Sequence, residues 1–218
     1  MKKYFKFLIL FFIILFIVIG LMIINKSKEN KNSEKVNFSM MYKVDEKNVF
    51  EKISAKDAID LVKNRTGIIY LGYKDCPWCQ NLVPVLNEAA KENNVNTVYY
   101  IDDFYYMRPD KNDNPKHKKE YNELVKILGE DIVEMHNDEN EFDIIRVPLV
   151  LFVKNGKLVD YHKGTYEGHV LKEKIDKNGK TVKYLEDLTE KQKKELKKVL
   201  TKKIKKVYEG QCTTKNGC

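Results

Sequence analysis

The sequence predicts an α/β domain behind an N-terminal apolar segment, and three observations support this prediction. An apolar strand pattern over residues 67–73 leads directly into a helical pattern over residues 77–93. Residues 149–161 form two apolar runs joined by an Asn-Gly dipeptide, which predicts a β-hairpin. Residues 189–208 predict a long amphipathic helix. The apolar positions of this helix are Leu196, Val199, Leu200, Ile204 and Val207.

Composition narrows the class of protein further. The chain has 218 residues, which is more than one typical domain of roughly 150 requires. Its apolar share of 43% argues against wholesale disorder. Only three of the 40 basic residues are Arg, whereas a surface that binds phosphates is expected to use more of them. We therefore expect no nucleic-acid partner, and four Cys are too few to form a disulfide scaffold.

The N-terminal apolar segment predicts a membrane anchor. Residues 7–24 are eighteen consecutive uncharged residues, and as a helix they would span about 27 Å. Three Lys precede them and favour a cytoplasmic N-terminus. We predict an uncleaved single-pass anchor over residues 1–24 and a polar tether over residues 25–37. A cleaved signal peptide is the alternative, and either interpretation places residues 25–218 outside the cytoplasm, where disulfides form.

Local patterns predict the remaining elements of a domain that we place at residues 38–209. Residues 48–53 and 97–101 predict two short strands. Between them, the Ser54 to Asp57 sequence resembles a capping box and predicts the start of a short helix. The last helix is rich in Lys, which indicates a solvated face or, alternatively, attraction to anionic lipid.

The chemistry is predicted at Cys76 and Cys79, which are separated by Pro77 and Trp78 and lie between a strand and a helix. This arrangement is typical of redox dithiols. The positive end of a helix dipole stabilises a thiolate, so the first thiol becomes a nucleophile at neutral pH. We expect Cys76, at the exposed start of the turn, to attack a substrate disulfide and the less accessible Cys79 to resolve it. Trp78 either contacts substrate or packs at the rim.

Two other interpretations of the Cys pair are weaker. An inert structural disulfide is one of them. A zinc site is the other, and it would need two further ligands, for which Cys212 and Cys218 have poor spacing. The four His residues also lack metal-ligand spacing. We expect neither a metal nor a cofactor.

Residues 67–164 resemble the thioredoxin-like fold at three places. The first place is the strand that leads into CPWC and a helix. The second is Pro84, which stands where thioredoxins carry the proline that kinks the active-site helix. The third is the segment 146–157. The last segment resembles the thioredoxin stretch that holds a cis-proline, a strand and an Asn-Gly turn. The resemblance implies a central mixed sheet flanked by helices. It also implies that Pro148 is cis and faces the dithiol, and that Val147 and Pro148 contact substrate.

Two features depart from the thioredoxin pattern. Tyr70 stands where thioredoxins usually carry a buried acidic residue. No residue of this sequence obviously takes over the proton-transfer role of that acidic residue. The segment 102–146 is an enlarged insert, with a polar turn at 110–115 and a helix predicted at 118–128. The aromatic residues around this insert are expected either to pack in the core or to line a substrate groove. They are Tyr99, Tyr100, Phe104, Tyr105 and Tyr106.

The combination of anchor, CPWC, Gln80, Val83-Pro84 and insert is similar to the membrane-anchored bacteriocin transport accessory proteins of Gram-positive bacteria. That resemblance implies an extracytoplasmic thiol–disulfide oxidoreductase acting on secreted or surface proteins or peptides, with a redox partner protein in the membrane. The alternative is an accessory or chaperone-like protein for peptide export, in which the Cys pair is secondary. Cys212 and Cys218, in a tail over 210–218, form either a structural clasp, which we favour, or an electron shuttle.

Overall fold

The structure is a computed structural model, and it describes residues 12–21, 24, 35, 37–102, 104–108, 115–135 and 143–209. Residues 12–21 are helical. Within the described ranges, we find no helix with the length and apolar character that crossing a membrane requires. The predicted anchor lies partly outside these ranges and the tether almost wholly outside them, so both stay predictions.

Five strands form one mixed sheet, as the resemblance to the thioredoxin-like fold implies. Its spatial order is β1-β3-β2-β4-β5. Strand β3 is parallel to both β1 and β2, whereas β4 is antiparallel to β2 and to β5. The central strands β2 and β4 are buried along almost their whole length, because helices cover both faces of the sheet. The strands are β1 (Phe50–Lys52), β2 (Gly67–Leu71), β3 (Val98–Tyr100), β4 (Leu149–Lys154) and β5 (Lys157–Lys163).

The helices begin where local capping predicts. Ser54 Oγ accepts the Asp57 N–H at the start of α1, and Thr189 forms a capping box with Gln192 at the start of α5. The insert helix α4 begins three residues before the predicted residue 118, because a proline suits the first helical position. The helices that follow β1 are α1 (Ala55–Asn64), α2 (Pro77–Glu92), α3 (Phe104–Met107), α4 (Pro115–Leu128) and α5 (Glu190–Tyr208).

The period-two alternation of β2 divides the core into two clusters. Ile68 and Tyr70 belong to one cluster, which contains Cys76, Cys79 and the apolar sides of α2 and α5. We call this side of the sheet the dithiol face. Ile69 and Leu71 belong to the other cluster, which α1 and α4 cover. We call that side the insert face.

Helix α5 runs from the dithiol end of the domain to the opposite end. The Leu188 N–H donates to Asn81 Oδ1 at 2.9 Å, one turn into α2, and Lys154 Nζ donates to the Glu209 carbonyl at 2.7 Å. Four of its five predicted apolar positions are buried. The prediction for Val199 is wrong, because it lies at the border of the apolar stripe beside an open cleft and is 44% exposed.

Several Lys side chains of α5 attach it to the rest of the domain. Lys197 pairs with Glu92 at 2.7 Å, and Lys203 and Lys206 both contact the Asp160 carboxylate. Burial alone would raise the pKa of Asp160, but hydrogen bonds from the two ammonium groups lower it. Some Lys side chains of α5 are therefore engaged in ion pairs within the domain. The Lys-rich side of the helix is thus neither a simply solvated face nor a surface wholly available to anionic lipid.

Two hairpins differ in how well the sequence predicts them. In the β4–β5 turn, Gly156 has φ +70°, and an added Cβ would lie 2.2 Å from the Lys63 carbonyl oxygen, so only glycine fits. A second hairpin, β6 (Lys172–Ile175) and β7 (Thr181–Tyr184), is not among the predicted elements. In its turn, Asp176 Oδ1 accepts two backbone N–H groups.

Candidate active site

Cys76 is the N-cap residue of α2, and its sulfur closes the first turn of the helix. The Cys79 N–H donates to Cys76 Sγ at 3.2 Å. Pro77 occupies the first turn, where a missing N–H costs little. Gln80 donates to the carbonyls of Met41 and Lys74, so it ties the loop before Cys76 to the helical residues 37–42. These local contacts fix the two thiols at the helix start.

Both thiols are free and buried. Cys76 is 3% exposed and Cys79 is 0% exposed, so the prediction that Cys76 is exposed is wrong, although it is the more accessible of the two. The physical reason is that Tyr73, Trp78 and Val147 pack against the core cluster that holds both cysteines. A thiol is apolar enough to be covered in this way.

The two thiols differ strongly in acidity. A hydrogen bond from the Cys79 side chain lowers the pKa of Cys76, and the backbone N–H groups of Cys79 and Trp78 add to the effect. Burial raises the pKa of Cys79, and the adjacent Cys76 sulfur raises it further. Cys76 is therefore the more acidic thiol of the pair and Cys79 the less acidic one.

Two buried tyrosine hydroxyls lie beside the dithiol, and sequence reasoning assigned neither of them a role. The Tyr70 hydroxyl donates to the Tyr42 hydroxyl at 3.4 Å, and the Cys79 side chain lies beside Tyr70 in the same core cluster, where the hydroxyl acts on the pKa of Cys79. Burial is the main cause of the raised pKa of each tyrosine, and the Cys79 charge adds to it. The Tyr42 contact had a local signal, because Phe38 and Tyr42 are an apolar pair at i, i+4.

A loop after β5 holds Trp78 at the rim. The Trp78 indole N–H donates to the His169 carbonyl at 3.0 Å, and the His169 ring contacts Thr165 Oγ1 at 2.6 Å. Trp78, this loop and Val199 line an open cleft of about 660 Å³. Trp78 therefore both packs and presents a surface beside Cys76, so its predicted substrate contact stays a prediction.

Val147 lies between the two core clusters, and Pro148 follows it just before β4. The Val147–Pro148 peptide bond is cis, which confirms that prediction. Val147 packs against both clusters, including the one with the dithiol, and the Gly164 N–H donates to the Pro148 carbonyl at 2.9 Å. Their role in binding substrate stays a prediction.

The insert aromatics divide between the core and a cleft. Phe104 is buried on the insert face, whereas Tyr105 and Tyr106 line a cavity of about 460 Å³ together with Tyr42, Tyr73 and Tyr100. The Tyr73 and Tyr105 rings are 4.6 Å apart. Asp75, next to Cys76, lies in the same lining, so this cavity adjoins the dithiol. Phe104 therefore packs in the core, whereas the interpretation of Tyr105 and Tyr106 as lining a substrate groove stays a prediction.

The predicted tail pair, Cys212 and Cys218, lies outside the described residues. Among the residues that the structure does describe, no three His, Cys, Asp or Glu side chains gather into a group that could hold a metal ion. A scan against models of known protein families gives no match to this chain, and a search of curated proteins gives none either.

Proposed function

We propose that this chain is a thiol–disulfide oxidoreductase with a thioredoxin-like fold, in which Cys76 is the attacking thiol and Cys79 the resolving thiol. The observation that carries the proposal is the asymmetry of the pair at the helix start. Cys76 accepts a backbone N–H and has a lowered pKa, whereas Cys79 is fully buried and has a raised pKa. The mixed sheet flanked by helices is compatible with the proposed fold.

The exchange has two steps. In the first, the Cys76 thiolate attacks one sulfur of a substrate disulfide, a Cys76–substrate disulfide forms, and the second substrate sulfur leaves as a thiolate that takes a proton from water. In the second, Cys79 loses its proton and attacks Cys76 Sγ, which releases the remaining substrate sulfur as a thiol. The substrate gains two electrons and the Cys pair loses two. The reverse sequence oxidises a substrate dithiol.

Substrate binding is proposed at the groove beside Cys76. Trp78 is held on one side of the dithiol by the loop after β5, and Val147 packs against the cluster that contains both cysteines. An extended peptide could pair with the backbone at Val147 while its disulfide meets Cys76. Cys76 is only 3% exposed, so its sulfur meets a substrate only where these rim residues leave it uncovered.

The proposed location is the outer side of a cell membrane. The charge-free stretch over residues 7–24, preceded by Lys, supports a single-pass anchor with a cytoplasmic N-terminus. Such an anchor would place the dithiol where disulfides in protein or peptide substrates persist. A membrane protein that renews the redox state of the pair is the expected partner.

Reduction of insulin disulfides tests this function. The full chain in detergent should reduce insulin in the presence of glutathione, and Cys76→Ser should abolish the reaction. The matched control is Cys212→Ser with Cys218→Ser, which keeps the CPWC pair. Equal rates from the Cys76→Ser and unmodified chains would overturn the proposal. So would inactivity of the unmodified chain in both the reducing assay and the reverse assay of peptide oxidation.

A further inference from the structure

The Tyr70 hydroxyl is a buried polar group that the exchange described above does not use. Tyr70 is 1% exposed, and its hydroxyl lies next to two side chains, Cys79 and Tyr42. A phenol has a single proton to donate, so it can serve only one of these acceptors at a time. A buried donor with a choice of two partners can follow a change of charge on one of them.

We propose that Tyr70 donates its hydroxyl proton as a hydrogen bond to Cys79 Sγ when Cys79 becomes a thiolate in the second step of exchange. This inference rests on the proposed function, because it assigns a donor to the resolving sulfur of that reaction. In the resting dithiol, the Tyr70 hydroxyl donates to Tyr42 at 3.4 Å. In the second step it turns about its C–O bond toward the sulfur, and Tyr42 donates to the Tyr70 oxygen in its place.

The need for this donor arises from the mixed disulfide. In the free dithiol, Cys79 shares a hydrogen bond with Cys76, whose pKa that bond lowers. Once Cys76 Sγ is bonded to a substrate sulfur, it is uncharged and no longer a strong partner for Cys79. The Tyr70 hydroxyl and the Tyr73 backbone remain beside Cys79 as hydrogen-bond partners. Of the two, only the hydroxyl can turn toward the negative charge as it forms on a buried thiolate, so Tyr70 sets how readily Cys79 ionises.

The step balances without a further reactant. Cys79 Sγ gives up its proton and bonds to Cys76 Sγ, the bond between Cys76 Sγ and the substrate breaks, and the departing substrate sulfur ends with that proton through solvent. Tyr70 keeps its own proton throughout. Both electrons of the broken bond leave with the substrate sulfur, so the substrate is reduced and the Cys pair is oxidised.

The surroundings keep Tyr70 a donor. Tyr70, Tyr42 and Cys79 act electrostatically on one another. The other titratable groups that act on them are Cys76, which precedes α2, and Tyr100 on β3. Burial and these neighbours favour the protonated phenol. Gly72 leaves room for the Tyr70 hydroxyl, because a Cβ at residue 72 would lie 2.0 Å from the Tyr70 oxygen. Tyr42 also lines the 460 Å³ cavity, whereas Tyr70 does not.

A two-phase thiol assay tests the proposal. The probe is 5,5′-dithiobis(2-nitrobenzoate), and the protein is the full chain with Cys212→Ser and Cys218→Ser, so that Cys76 and Cys79 are its only thiols. Attack by Cys76 releases one coloured thiol, and resolution by Cys79 releases a second. In Tyr70→Phe, we expect the first phase unchanged, the second slowed about tenfold, and its pH midpoint raised by about one unit, because a hydrogen bond to a charged acceptor is lost.

Control variants separate this role from a structural one. Tyr121→Phe removes a hydroxyl that is equally buried but lies on the insert face, and it should leave both phases unchanged. Tyr42→Phe should slow the second phase less than Tyr70→Phe does, and it decides the matter if Tyr70→Phe does not fold. A second phase unaltered in rate and pH midpoint in the folded variants would overturn the inference. Absence of the first phase in the unmodified pair would instead overturn the proposed function.

Discussion

Tyr70 and Tyr121 are each 1% exposed, yet they serve opposite faces of the sheet in different ways. On the insert face, the Tyr121 hydroxyl accepts the Ile145 N–H at 2.9 Å and donates to the Asp143 carbonyl at 3.2 Å. Both partners belong to the backbone, so this hydroxyl is fixed. On the dithiol face, the polar side chains described beside the Tyr70 hydroxyl, Tyr42 and Cys79, both titrate.

The difference shows that burial alone does not tell a structural hydroxyl from a reactive one. Tyr121 closes the insert onto the domain, because it joins α4 to the chain that leads into β4. Its partners keep the same charge in every redox state. The partners of Tyr70 change charge when the thiols react, so its hydrogen bond is expected to change with them.

The largest expected effect on the dithiol face comes from removing either sulfur. Cys79→Ser should accumulate Cys76–substrate disulfides, because the attacking thiol survives without its resolving group, whereas Cys76→Ser should form none. Mass spectrometry of each variant after incubation with a peptide disulfide measures this. Adducts on Cys76→Ser, together with an adduct-free Cys79→Ser, would reverse the two roles.

The next effect concerns the space around the Tyr70 hydroxyl. Gly72→Ala should destabilise the domain by about 3 kcal/mol, since the added Cβ would lie 2.0 Å from the Tyr70 oxygen and would force the ring to move. Urea unfolding of the full chain measures it. Gly67→Ala is the matched control, because its Cβ would lie no closer than 3.2 Å to the end of Leu61 and 3.4 Å to the Tyr99 ring. A cost for Gly72→Ala no greater than for this control would show that the ring is not held tightly.

A smaller effect is expected on the insert face. Tyr121→Phe leaves the buried Ile145 N–H without its hydroxyl acceptor, so the free energy of unfolding should fall by about 2 kcal/mol. The rates of thiol exchange should stay unchanged. Urea unfolding and the two-phase thiol assay check the two statements on the same sample. A change in exchange rate at unchanged stability would remove the contrast between the faces.

The smallest effect is expected from the C-terminal Cys pair. Helix α5 ends where Glu209 meets Lys154, whereas the dithiol lies toward the other end of β4, about 17 Å along the strand. The chain from Glu209 reaches only about 10 Å to Cys212, whereas the nine residues to Cys218 reach about 30 Å, so distance alone excludes only Cys212. The structural clasp that we favour predicts that Cys212→Ser with Cys218→Ser keeps the insulin-reduction rate. A large loss of rate at unchanged melting temperature would establish the shuttle instead.

Much of the fold could be predicted because its signals are local. The strand before Cys76, the proline-started α2, the Asn155-Gly156 turn and the capping box of α5 each depend on neighbours in sequence. The β6–β7 hairpin was missed although Asn178-Gly179 gives a turn signal, because its strands are exposed and lack a clear apolar alternation. Val199 was misplaced because the border of an apolar stripe depends on which elements pack nearby.

The site was predicted less completely than the fold. Cys76 and Cys79 follow from spacing, but the cover over Cys76 depends on Val147, which is remote in sequence. The hydroxyl pair also depends on a long-range contact, since Tyr42 comes from a segment before the first strand and Tyr70 from β2. A strand pattern marks Tyr70 as buried without indicating what its hydroxyl meets.

The most direct test of the central claim is the pH dependence of alkylation at each thiol of the pair. The full chain with Cys212→Ser and Cys218→Ser is treated with iodoacetamide across a pH series, and mass spectrometry assigns the modified residue. Because the pKa of Cys76 is lowered, its modification should persist to more acidic pH than that of an ordinary cysteine. Cys79, with its raised pKa, should stay unmodified over the same series. Modification of Cys79 before Cys76, or equal midpoints for the two, would contradict the account.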